Sequence, residues 1–332
     1  MRWVTYLDTH GKEKVGLHTG EFGRGQIIDA VRALEWWNRK SKSVIQSASG
    51  DMVAWIREAP AVLPLMKQVL KAHAENQLPP DLLLDEAGLT LLSPIPRPLS
   101  MRDGYAFRQH VEAARRNRGL PMIEEFDHFP IFYFTNHLAV TGPGPISVRP
   151  LARDKLDFEL EVAIVVGKEG RDIPASRADE YIFGYMIMND WSARTLQMEE
   201  MKLNLGPAKG KDFATSLGPY LVTRDELAAH AVPGPQGERH DLRMQCFVNG
   251  KQVSDGNLKD ISWTFAQILE RASYGVTLRP GEVIGSGTVG TGCFLELNGS
   301  KVTHNQWLQP GDDVVLEVGA LGRLQNRIEA AE

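Results

Sequence analysis

"KLDFELEVAIVVG", residues 155–167, decides how this 332-residue chain is read. Side chains alternate across a strand, so Asp157, Glu159 and Glu161 share one face while Leu156, Phe158, Leu160, Val162 and Ile164 share the other. Consecutive acids on one face sit about 6.6 Å apart and repel by roughly 2 to 3 kcal/mol at an effective dielectric of about 20. A solvent-exposed face removes most of that cost. The continuation "EVAIVVG", however, is apolar on both faces, which predicts a strand buried on both sides. Acids on a buried strand need a cation.

Strand signals dominate the chain around this segment: "IFGYMIMND", "GPYLVT", "LRMQCFVNG", "EVIGSG", "CFLEL" and "DDVVLEVG". Helices are fewer there, expected at about 101–117, 191–201 and 261–273. The first hundred residues differ. "RWVTYLD" and "KVGLHTG" suit a hairpin around Gly11, and "IIDAVRALEWWNRK" and "MVAWIREAPAVLPLMKQVLKAHAE" carry helical periodicity. "LTLLSPIPRPLS" then reads as a short strand running into Pro94, Pro96 and Pro98, which hold the backbone extended and mark a boundary. The expectation is a β-rich α+β protein with a small N-terminal α+β domain and linker, residues 1–98, and a larger domain, 99–332.

The formal net charge of −5 gives no electrostatic reason to expect nucleic acid, and the basic cluster "RRNR" at 115–118 reads as a solvated helix end. Two cysteines, Cys246 and Cys293, without C-x-x-C spacing point to a reducing compartment rather than a disulfide framework. The first residues have no apolar h-region and no stretch is long enough to span a bilayer. A cytoplasmic protein without membrane partners is expected.

Asp190 closes the apolar run "YIFGYMIMND" and suits the N-cap of a helix starting at Trp191. Arg194 and Gln197 follow it on one helical stripe. In "LSMRDGYAFRQHVEAARRNRG", Asp103, Phe107 and His110 are spaced i, i+4, i+7 on an expected helix. The plainer alternative is an acid favoured by the helix dipole and a histidine packed on the core. If these pieces meet, Asp103, Glu159, Glu161 and Asp190 form an all-oxygen set, which selects Mg²⁺, Mn²⁺ or Ca²⁺ over zinc.

The segments "DGYAFRQHV", "LDFELEVAIVVG", "FGYMIMNDWSARTLQ", "GPAKGKDFATSLGP" and "GSGTVGTGCFLEL" together resemble the fumarylacetoacetate hydrolase family, in order, over roughly residues 93–320. The resemblance implies a fumarylacetoacetase C-terminal-like mixed β-sandwich roll with peripheral helices and, by family, a homodimer. It implies Mg²⁺ held by Asp103, Glu159, Glu161 and Asp190, with Lys211 and Thr215 close by. His110 would be the general base for a water, oriented by Glu296. Arg194, Gln197 and Lys211 would stabilise an oxyanion, and Tyr105, Tyr133 and Thr288 would contact substrate. The implied reaction is metal-dependent hydrolysis of a C–C bond in a 1,3-diketo acid such as fumarylacetoacetate, fumarylpyruvate or another acylpyruvate. Two departures concern the substrate: Gly104 stands where the family has an aromatic residue. The arginine that follows the family's catalytic histidine has no clean counterpart, leaving Arg115, Arg116 and Arg118.

Two other classes stay open: a decarboxylase, hydratase or isomerase of related 2-oxo acids on the same scaffold, and a non-catalytic metal-binding protein. A His110–Glu296 pair argues against the second, since metal binding alone does not need it. "GSGTVG" at 285–290 fits G-x-G-x-x-G, but a strand expected at "CFLEL" excludes the helix that a dinucleotide site requires. "GPAKGKD" is one residue short of a P-loop, and no G-x-S-x-G is present. Met186, Met188, Met198 and Met201 read as packing, as do Trp36 and Trp37.

Overall fold

Residues 160–166 form the middle of a 13-stranded mixed sheet. The computed structural model describes residues 1–41 and 50–332. Leu160–Val166 is buried at every position, as its two-sided apolar pattern predicts. Its antiparallel neighbour Ile182–Asp190 is buried throughout, and Val283–Gly285 pairs along its other edge. Past Val283–Gly285 the sheet continues through Met101–Gly104, paired parallel, to Phe132–Phe134. In the other direction Leu221–Thr223 joins it to the hairpin of Arg2–Leu7 and Glu13–Thr19. That hairpin turns at Asp8–Lys12, around Gly11 as the sequence indicates.

The two faces of the central strand meet different partners. Leu160, Val162 and Ile164 join a core with Met244, Cys246, Leu316 and Leu324 of a second, five-stranded sheet. Ala163 and Val165, on the alternate face, pack with Trp3, Trp55, Val62 and Met66 of the N-terminal segment. The fold is thus sheet-rich α+β with peripheral helices. Among the described residues no helix is long and apolar enough to cross a membrane.

Several local expectations are corrected. The helix expected over 101–117 is a strand, Met101–Gly104, followed by a helix, Arg108–Arg116. Backbone pairing on both strand edges overrides the helical spacing, so Asp103 and His110 do not share a helical stripe. The segment 157–166 is not one strand: Leu156–Asp157 pairs with Ser192–Ala193, and Phe158 and Glu159 lie between it and the main strand. Asp190 ends its strand rather than capping a helix, and the next helix starts at Arg194. The helix expected from 261 starts at Phe265, behind a capping box of Thr264 and Gln267. "CFLEL" is not a strand but opens the helix Phe294–Gly299. In the N-terminal segment residues 27–29 complete the strand Gln26–Asp29 before the helix Ala30–Ser41. The longer helical stretch breaks at Glu58, one residue before Ala59 and Pro60 begin Ala59–Ala74. Met186 and Met188 are core residues, whereas Met198 and Met201 are 44% and 47% exposed.

Candidate active site

Strand ends of the large sheet converge on one point. Register sets Asp103 beside both Gly285 and Tyr133, Leu160 beside Asn189, and Asp190 beside Thr215. Asp103, Glu159 and Glu161 each bring a carboxylate oxygen to within 4.8 Å of the others, and all three are buried. The close approach depends on Gly285, where a Cβ would lie 2.3 Å from Asp103 Oδ1. Gly287, at φ +77°, turns its N–H onto both Asp103 and Glu161, at 3.1 Å each. Thr288 Oγ1 donates to Glu161 at 3.4 Å.

The acids do not share one protonation state. Burial, then the charge of Asp190, pushes Asp103 up to about 8. Burial, then the charges of Asp103 and Glu159, holds Glu161 well above the usual carboxylate range. Asp103 and Glu161 accept the same Gly287 N–H, so the two carboxyls are crowded against each other on one backbone donor. Burial also raises Glu159, but Lys211 and Arg194 outweigh it and hold that carboxyl at about 2. Burial raises Asp190 against the pull of Lys211. Crowded, buried oxygen donors that hold protons under mutual repulsion fit a hard divalent cation, whose charge would replace those protons.

Two cations brace the rim. Arg194 donates from Nε to Asp157 at 2.8 Å, from Nη2 to Glu159 at 2.8 Å and from Nη1 to Gln197 at 3.0 Å. Lys211 Nζ reaches Asp190 at 2.8 Å and also bonds Glu159. Tyr133 donates to Asp190, and Thr215 Oγ1 stands 3.5 Å from its other oxygen. Asp190 is therefore clamped at the edge of the acid cluster.

His110 lies on the first turn of Arg108–Arg116, and its Nδ1 meets Glu296 Oε2 at 2.8 Å. Glu296 Oε1 accepts the Thr291 N–H at 2.9 Å, which fixes the carboxylate plane. Tyr105 meets the His110 ring edge-on, centroids 5.6 Å apart, and burial pushes its hydroxyl up to about 12. A cavity of about 330 Å³ adjoins it, lined by Tyr105, Val111, Arg115, Arg118, Phe126 and Phe129 among others. Of the three arginines considered for a substrate carboxylate, Arg116 is not on this cavity.

Every sequence-derived site residue thus falls in one connected region, by routes the sequence did not show. Asp157, without an assigned role, is fully buried and accepts from Arg194, Phe294 and Leu295. Asn189, beside Asp190 in "MND", accepts the Glu159 N–H on its Oδ1 at 2.9 Å. Its burial in an apolar run was the available signal. Because a helix does follow "GSGTVG", the earlier ground against a dinucleotide site fails. A different one replaces it: the Gly287 amide that would face a phosphate faces two carboxylates instead.

Residues 100–329 match the fumarylacetoacetate (FAA) hydrolase C-terminal family. Fumarylacetoacetase from Oryza sativa subsp. japonica is 35% identical over 208 residues, 52% of this chain and 48% of that protein. The match thus spans about half the length of that relative. Oxaloacetate tautomerase FAHD2A, mitochondrial, from Homo sapiens is 29% identical over 331 residues, 99% of this chain and 91% of that protein. Among solved structures, maleylpyruvate hydrolase from Sphingobium sp. SYK-6 in complex with manganese (II) ion and pyruvate matches with TM-score 0.70 at 18% identity, covering 100% of both chains. That likeness concerns the fold. With the family match extending over more than half of its length, the chain belongs to the fumarylacetoacetate hydrolase family.

Proposed function

We propose that the chain is a divalent-metal-dependent hydrolase that cleaves a C–C bond in a 1,3-diketo acid of the acylpyruvate class, with His110 as general base. The His110–Glu296 pair carries this reading. A carboxylate accepting at Nδ1 keeps the imidazole proton there and leaves Nε2 with the lone pair that takes a proton from water. Asp103, Glu159, Glu161 and Asp190 would hold Mg²⁺, or Mn²⁺ or Ca²⁺. When bound, the ion supplies a Lewis acid that polarises the carbonyl and stabilises the enolate leaving group.

Arg194 and Lys211 keep donors in reserve. Arg194 uses three of a guanidinium's five N–H groups, and Lys211 two of an ammonium's three, leaving both able to donate to a developing oxyanion. Gln197 would hold the guanidinium in that orientation. Tyr105, Tyr133 and Thr288 would contact substrate, its acyl end lying in the cavity with Arg115 or Arg118 on a carboxylate. A homodimer and the division at residue 98 belong to the same proposal.

A second reading is supported by the tautomerase relative, which aligns over 99% of this chain. In it the same His110 removes a proton from carbon rather than water and interconverts the keto and enol forms of a 2-oxo acid. One experiment separates the two. Protein stripped with chelator and reloaded with Mg²⁺ or Mn²⁺ is offered fumarylacetoacetate, fumarylpyruvate, simpler acylpyruvates and oxaloacetate, and products are identified. Cleavage supports hydrolysis, enol–keto exchange alone supports tautomerisation, and no metal-dependent turnover of any overturns both.

A further inference from the structure

Cys293 is fully buried beside the proposed catalytic pair, and nothing in the proposed chemistry uses its thiol. It is the N-cap residue of the helix Phe294–Gly299. The spacing C-x-x-E thereby sets Sγ and the Glu296 carboxylate on one helical turn, facing His110 from the neighbouring helix. One ligand atom from each of His110, Cys293 and Glu296 lies within 4.8 Å of the other two, and all three residues are buried. This set of nitrogen, sulfur and oxygen differs in kind from the all-oxygen set of Asp103, Glu159 and Glu161. A thiolate and an imidazole select Zn²⁺ and its borderline-soft relatives, whereas Mg²⁺ prefers oxygen.

We propose that His110, Cys293 and Glu296 form a second cation site, for Zn²⁺ or a similar borderline-soft ion, whose occupation switches the enzyme off. The two sites sort cations by softness. Binding forms a metal–sulfur bond and releases the thiol proton to solvent, with no change of oxidation state. The imidazole and carboxylate that pair at 2.8 Å become ligands; as Nδ1 turns to the cation its proton passes to Nε2, so His110 loses the lone pair with which a base would act. The inhibitory consequence rests on His110 being the base; the site itself does not.

The test keeps these apart. Mg²⁺-saturated protein is titrated with Co²⁺, which reports thiolate coordination by a sulfur-to-cobalt charge-transfer band in the near ultraviolet. One equivalent produces the band in the unsubstituted protein and in Cys246→Ser, and Cys293→Ser abolishes it. Cys293→Ala gives the same reading should the serine variant not fold. In parallel, Zn²⁺ inhibits Mg²⁺-supported turnover, and Cys293→Ser weakens that inhibition at least about tenfold. Absence of the band, or its persistence in Cys293→Ser, overturns the site. A Cys293-dependent band without loss of turnover upholds the site and overturns His110 as base.

Discussion

His110 and Glu296 lie 186 positions apart and meet in one buried hydrogen bond, so each is chemically useful only through the other. His110→Ala is expected to lower turnover by about 10²- to 10⁴-fold, the range for a general base. It should leave Mn²⁺ affinity intact, because the imidazole stands outside the acid cluster; calorimetric titration of metal checks this. A variant that loses metal and turnover together would place His110 among the ligands. The acids themselves predict a pH dependence. Asp103, raised from 3.8 to about 8, and Glu161, held well above the usual carboxylate range by burial and its neighbours, must release protons as a cation enters. Metal affinity should therefore climb as pH rises through about 8. The sign for folding is opposite in metal-free protein. Stability from a raised Asp103 is fully present below 3.8 and is lost as pH rises through about 8, so chelated protein should melt lower at alkaline than at acid pH within that window, with metal restoring it. An affinity flat across the window would count against the raised acids.

Asp157 shows how elements are tied together. Its carboxylate accepts from Arg194 Nε at 2.8 Å, Phe294 N at 2.7 Å and Leu295 N at 2.9 Å, joining a short strand to the helices that carry Arg194 and Glu296. Asp157→Asn keeps the shape but turns an amide N–H₂ toward buried donors. Breaking a buried pair of this kind costs about 3–5 kcal/mol, measurable by denaturant unfolding. The loosened Glu296 helix should also lower kcat while metal affinity holds; unchanged stability would show that the carboxylate is not the tie. The same residue marks the limit of what could be read from sequence. Glu159 and Glu161 were legible because alternation is local, and the apolar run after them announced burial. Asp157 was not, since its partners stand 37, 137 and 138 positions away. "CFLEL" misled because its short apolar run imitates a buried strand, and the helix Phe294–Gly299 has six residues, too few to display a 3.6 period. Asp103 was placed on a helix because its strand is held by residues 132–134 and 283–285, pairings that no local window contains. The acids were thus recognisable by type, while the backbone presenting them depended on contacts remote in sequence.

At the scale of the molecule, the described residues of the N-terminal segment cover one face of the large sheet. Arg2–Leu7 bonds to Leu221–Thr223, while Trp3 and Trp55, centroids 5.5 Å apart, pack in one core with Ala163, Val165, Met186, Met188 and Val283. Met188 is also the register partner of Glu161, so the apolar layer beneath the N-terminal segment runs up to the acid cluster. Burial of a large apolar side chain contributes about 1.5–3 kcal/mol, and truncating a tryptophan leaves a cavity as well, so Trp3→Ala should cost about 3–5 kcal/mol. Its melting temperature falls, while turnover measured well below that melt persists, because Trp3 touches the sheet rather than the acids. Removing residues 1–98 altogether strips the same face in one step and leaves the open edge of Leu221–Thr223 without Arg2–Leu7. A fragment 99–332 is therefore expected in the insoluble fraction, and residues 1–98 supplied as a separate chain during refolding should return part of it to solution. The opposite result, a soluble fragment with a cooperative melt and bound metal, would show that the proline-marked boundary divides two independent folding units.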